Sequence, residues 1–178
     1  AAGVEVRLRP FLLGAIFKSQ GWTTSPFNLF PTKGRYMWRD LARICADLGL
    51  PLVQPDPFPQ NSLLAARVAV AAAGESWADD YCAAVFREAF AHGRSISDES
   101  VIGAVVTQVG GDAALLLERA QSAEVKAKLR AETEHAAQLG IFGAPTFVTA
   151  DGELFWGNDR LERALAWAAT DISPSPPR

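Results

Sequence analysis

Phe142-Gly143-Ala144-Pro145-Thr146 lies directly between a long helical pattern and a short strand, and its reading decides how the rest of the chain is assembled. A proline that enters a strand just after a glycine suits a cis Ala144–Pro145 bond, because proline is the residue that makes the cis form accessible. An ordinary trans bond at a strand start is the plain alternative. Downstream, residues 146–149 read as a strand, Ala150-Asp151-Gly152 as a hairpin turn and residues 153–156 as the returning strand. Asn158 or Asp159 is then placed to cap a final helix through Leu161, Leu165 and Trp167. The tail 171–178, rich in Ser and Pro, is expected to be disordered.

Upstream of the loop the pattern is helical for about a hundred residues. Ser122 opens the long run that stops at Leu139-Gly140, Asp112 a short one, and Ser97-Asp98 another. Ser76 is expected to cap a helix carrying Trp77, Tyr81, Val85 and Ala89, and Asn61 to cap a very apolar one closed by Gly74. Each of these side chains can accept a hydrogen bond from a free first-turn amide. From Lys33, one helical face collects Met37, Leu41, Ile44, Cys45 and Leu48, and Gly49 supplies the stop. At the start, Val4, Val6 and Leu8 alternate with charged residues at strand period and Pro10 ends the pattern. An apolar run 11–17 and a loop 21–31 follow.

The order is therefore strand, helical block, long helix, hairpin, helix. It predicts an α/β protein with a thioredoxin-like fold and an inserted all-helical domain, whose first strand and helix are expected upstream of Ala1. Residues 1–32 and 122–170 are assigned to the thioredoxin-like domain, 33–121 to the insertion. In such folds the loop before the proline exposes the backbone N–H and C=O of the preceding residue, here Ala144. Those groups can pair antiparallel with an extended peptide.

Two further features have ligand chemistry. Phe155-Trp156-Gly157-Asn158-Asp159-Arg160 opens the last helix, where free N–H groups and the helix dipole suit a carboxylate. Asp159 beside them suits an ammonium group, although taken by itself the feature reads more readily as a simple helix cap. Asn28 and Lys33 offer an amide and an ammonium for a second carboxylate, or merely lie where a surface loop runs into a helix.

Composition excludes other classes. A net charge of −3 over 178 residues argues against nucleic acid, despite the basic spot at Lys33, Arg35 and Arg39. No stretch approaches the roughly 18 apolar residues of a membrane span. Residues 1–4 do not resemble a signal peptide, so a cytoplasmic protein is expected. Cys45 and Cys82 are too far apart for a redox pair and are expected to be buried thiols. His92 and His135 read as isolated, which makes a zinc site unexpected. Phosphate-loop, dinucleotide and serine-hydrolase motifs are lacking.

Taken together, Leu8-Arg9-Pro10-Phe11-Leu12-Leu13, Lys33-Gly34-Arg35-Tyr36, Phe142-Gly143-Ala144-Pro145-Thr146 and Trp156-Gly157-Asn158-Asp159-Arg160 resemble the 2-hydroxychromene-2-carboxylate isomerase family and the related kappa-class glutathione transferases. The resemblance runs from Val4 to Trp167. It implies glutathione as cofactor, bound between the two domains of what is usually a homodimer. By resemblance, Ala144 and Pro145 meet the cysteinyl part and Trp156, Gly157, Asn158 and Asp159 the γ-glutamyl part. Asn28 and Lys33 are further contacts. The family's catalytic serine lies in a Ser-Pro-Tyr/Phe-Ser segment that this sequence does not contain, so no catalytic residue is assigned, and a chain truly starting at Ala1 is expected to be inactive. The implied reaction is reversible thiolate addition to a small aromatic pyruvate-type substrate. The alternatives are a glutathione transferase or peroxidase, a DsbA-type thiol–disulfide oxidoreductase, and an inactive binding domain.

Overall fold

The computed structural model describes residues 3–170. Among the described residues, nine α-helices and one hairpin follow in order: α1 (Leu13–Ser19), α2 (Pro26–Leu29), α3 (Pro31–Asp47), α4 (Leu63–Ala71), α5 (Ala78–Phe90), α6 (Glu99–Gln108), α7 (Ala113–Ala120), α8 (Ala123–Gln138), β1 (Thr146–Val148), β2 (Leu154–Trp156) and α9 (Leu161–Ala169). The tail 171–178 lies outside the described residues.

Three of the expected caps form as read. Asp98 accepts from the Ser100 amide, Asp112 from that of Leu115 and Ser122 from that of Val125. Two do not. Helix α5 begins at Ala78 with Trp77 in the cap position, because the Ala78 amide already donates to the Glu75 carbonyl in a preceding turn, and the Ser76 hydroxyl caps nothing. Asn61 accepts from the Leu63 amide, while Ser62 occupies the cap position of α4.

Two apolar cores result. The larger gathers Val68 of α4, Tyr81 and Val85 of α5, Ile102, Val105 and Val106 of α6, Leu116 of α7 and Val125 and Leu129 of α8. The smaller joins Ile16 of α1, Ala136 of α8 and Ile141, with Leu154 of β2 packed on it. Helix α8 thus serves both cores, its first half facing the helical bundle and its second half α1 and the hairpin.

Thr133 sits at the changeover, buried. Its hydroxyl donates to the Leu129 carbonyl one turn back and accepts from the Leu12 amide, 3.1 Å away on the segment entering α1. Thr133→Val keeps the shape but orphans that amide, so it is expected to cost about 1–2 kcal/mol in urea unfolding. Thr133→Ser restores the bond and should recover most of that loss; an unchanged midpoint for the valine variant would show that water satisfies the amide.

The strand expected at Val4, Val6 and Leu8 is not formed. Among the described residues the only sheet is β1 paired with β2, so no neighbour offers residues 4–8 a hydrogen-bond ladder, and Val6 and Leu8 stand exposed. The segment is anchored instead by the Arg9–Glu132 ion pair onto α8, at 2.7 Å. Cys45 and Cys82, expected to be buried, are half-buried and unbonded, and burial pushes the Cys82 thiol pKa up. His92 is not isolated: its Nδ1 lies 3.1 Å from Glu88 Oε1, one helical turn earlier. Among the described residues no third ligand joins them, and no helix is long and apolar enough to cross a membrane.

Candidate functional site at the hairpin mouth

Strands β1 and β2 pair antiparallel, with Thr146 opposite Trp156, Phe147 opposite Phe155 and Val148 opposite Leu154. The Gly157 amide donates to the Pro145 carbonyl at 3.0 Å, extending the pairing by one residue, to the one before β1 and the one after β2. The loop at 142–145 and the turn at 157–160 are therefore held side by side at one mouth of the hairpin. The Ala144–Pro145 bond is cis, as the sequence anticipates. Thr146 Oγ1 donates to the Gly143 carbonyl at 2.8 Å and pins the loop from inside.

Ala144 and Pro145 are exposed. Among the described residues neither the N–H nor the C=O of Ala144 takes part in a hydrogen bond. A backbone donor and acceptor left free on one residue, next to a sheet, form the edge that an extended peptide can join.

Gly143, in contrast, is buried, and the Trp156 indole lies directly over it. A Cβ at position 143 would overlap the indole ring, so only glycine admits this contact. Phe142 meets the same indole edge-on, with ring centroids 4.9 Å apart, and both aromatic residues remain half exposed to solvent. The sequence signal for this packing is Gly143, two residues before the proline, combined with a hairpin register that brings Trp156 alongside.

The chain leaves β2 through Gly157, at φ +107°, into a 3-10 turn at Asn158–Arg160 that leads straight into α9. Neither Asn158 nor Asp159 caps the helix with its side chain, contrary to expectation, because the turn uses backbone hydrogen bonds and the Asp159 carboxylate swings to Arg160. That pair, Nη1 to Oδ2, is 2.6 Å long and exposed. The amides of Asn158 and Asp159, first in the turn, have no acceptor among the described residues. The turn is thus a small anion-facing group of N–H donors with a carboxylate beside it.

At the opposite end of the hairpin, Asp151 accepts from the Thr149 hydroxyl and from the Trp167 indole N–H of α9, which holds its carboxyl below the usual carboxylate range. This fastens α9 to the turn and fixes the angle at which α9 leaves the mouth.

Asn28 and Lys33 are not part of the hairpin. Asn28 lies in α2, where its amide donates to Thr24 Oγ1 at 3.0 Å. Lys33 lies in the first turn of α3, with Nζ 5.1 Å above the Phe30 ring. Helices α2 and α3 pack on each other, and Phe58 of the proline-rich segment packs edge-on against Trp38 of α3. The structure therefore groups Ala144, Pro145, Trp156, Gly157, Asn158 and Asp159, and sets Asn28 and Lys33 together elsewhere. Arg160 joins the first group, a partner that adjacent opposite charges in Asp159-Arg160 signal in the sequence.

The family model described as a DSBA-like thioredoxin domain matches residues 1–166. A 2-hydroxychromene-2-carboxylate isomerase of Sphingobium xenophagum is 32% identical over 130 residues, which make up 73% of this chain and 65% of that protein, just under two thirds of its length. Glutathione S-transferase kappa 1 of Homo sapiens is 30% identical over 172 residues, 89% of this chain and 75% of the human protein. A solved structure of a 2-hydroxychromene-2-carboxylate isomerase superposes with a TM-score of 0.81 at 25% identity, covering 93% of this chain and 80% of its own.

Proposed function

The chain belongs to the DSBA-like thioredoxin family, and on that premise we propose that it is a glutathione-dependent isomerase of the 2-hydroxychromene-2-carboxylate type. The observation that carries the reading is the exposed backbone of Ala144, whose N–H and C=O are both free, beside a turn that presents amides and a carboxylate. Relatives named for this isomerase activity and for kappa-class glutathione transferase support it.

The residues present fit glutathione. Ala144 would take the cysteinyl part through paired backbone hydrogen bonds, a geometry that fixes where the sulfur stands. The amides of Asn158 and Asp159 would take the γ-glutamyl carboxylate, and the Asp159 carboxylate its ammonium. Arg160 pairs with Asp159 at 2.6 Å on the exposed side of the turn. The resemblance gives Asn28 and Lys33 the glycyl carboxylate, but they stand on α2 and α3, outside the hairpin group, and are not counted in this fit. Glutathione, when bound, would supply a thiolate for reversible addition to a small aromatic pyruvate-type substrate. What this chain contributes is orientation: backbone pairing on one side, and Trp156 as the wall on the other.

Asp159→Ala is expected to weaken glutathione binding about two- to fivefold, a modest factor because an exposed charge pair is worth under about 1 kcal/mol. An unchanged dissociation constant would remove Asp159 from the site. Product analysis with a hydroxychromene carboxylate tests the reaction itself: the reading requires isomerised product with glutathione recovered in full. A second reading, a kappa-class transferase, is favoured by the human relative's 30% identity over most of both chains. It requires a stable glutathione conjugate instead.

A further inference from the structure

The exposed aromatic residues of this protein are not equivalent. Phe30, 51% exposed, has the Lys33 ammonium 5.1 Å above its ring, and Phe86 stacks along its own helix on Phe90. Among the described residues, only Phe142 and Trp156 combine three properties. They touch each other edge-on, they are each about half exposed, at 52% and 54%, and they flank a residue whose backbone is free to hold a ligand. The Trp156 indole is fixed by contact with Gly143, one residue before Ala144, so the two rings form a shelf that begins where the ligand's peptide would end.

We propose that this shelf docks the aromatic ring of the electrophile, which makes Phe142 a specificity-determining residue. The proposal rests on the glutathione reading and deepens it. A ligand whose cysteinyl part pairs with Ala144 places any group carried on its sulfur near that residue. An apolar surface half exposed in the free protein gains from being covered, and two rings already in edge contact leave faces open for a third. A planar aromatic group satisfies that surface; a small alkyl group covers little of it.

The test is an equilibrium one and needs no turnover. Glutathione, S-methylglutathione and S-benzylglutathione are titrated into the protein and into its Phe142→Leu and Phe142→Tyr variants, with thermal unfolding checked for each. The expected result is that the benzyl conjugate binds roughly tenfold tighter than the methyl one, the scale of one aromatic contact with its buried area. That preference is lost in Phe142→Leu and kept in Phe142→Tyr, with the affinity for glutathione itself unchanged in both. Equal affinities for the two conjugates, or a benzyl preference that survives Phe142→Leu, would overturn the shelf while leaving the glutathione reading intact. Failure of all three compounds to bind the folded protein would overturn both.

Discussion

Tyr81→Ala is expected to lower the unfolding free energy by about 3–5 kcal/mol, the range for removing a large aromatic side chain from a packed core. Tyr81 is 1% exposed at the centre of the helical bundle, and its hydroxyl donates to the Ala65 carbonyl at 3.1 Å, tying α5 to α4. Burial raises the pKa of that phenol, so it stays neutral and keeps donating over the accessible pH range. For a chain of this size the loss corresponds to a melting temperature lower by about 10 °C. Tyr81→Phe separates the two contributions: it keeps the ring and loses one buried hydrogen bond, about 1 kcal/mol. Urea unfolding of both variants checks the ratio. Similar losses for Phe and Ala would mean that the hydrogen bond, not the packing, holds the bundle.

Gly143→Ala is expected to reduce glutathione affinity tenfold or more while leaving thermal stability nearly unchanged. The added Cβ overlaps the Trp156 indole, whose exposed side faces solvent, so the clash is relieved by displacing the ring outward and not by unfolding. Replacing glycine also removes conformational freedom from the unfolded chain, which offsets part of any strain. The displaced indole no longer has its place over residue 143 and crowds the exposed Ala144 backbone, where the ligand is proposed to pair. Binding titration and thermal unfolding on the same sample check both halves. A large fall in stability would show that the contact with Trp156 supports the fold more than the site.

Much of this architecture is legible from local chemistry. The hairpin follows from Ala150-Asp151-Gly152 between short apolar stretches, and Asp98, Asp112 and Ser122 mark helix starts because the bond each makes is to an amide two or three residues ahead. Ser76 misleads for a local reason too, since a preceding turn claims the amide that would open the helix one residue sooner. Residues 4–8 mislead for a non-local one. Alternation marks a segment able to join a sheet, but a strand exists only where a neighbour completes its ladder.

The candidate site divides in the same way. Cis Ala144–Pro145 and the Trp156–Asp159 turn lie within short stretches and are readable as such. The indole resting on Gly143 depends on strand register, and the distance of α2 and α3 from the hairpin depends on how separate elements pack, which periodicity does not encode. The swing of Asp159 to Arg160 was open to reading, because two opposite charges adjoin in a turn with few other partners.

The most direct test of the account is a calorimetric titration of the folded protein with glutathione, repeated on Gly143→Ala and Asp159→Ala. The account predicts saturable binding at one site, at least tenfold weaker in the first variant and two- to fivefold weaker in the second. No binding by the folded protein, or binding that neither substitution alters, would contradict it.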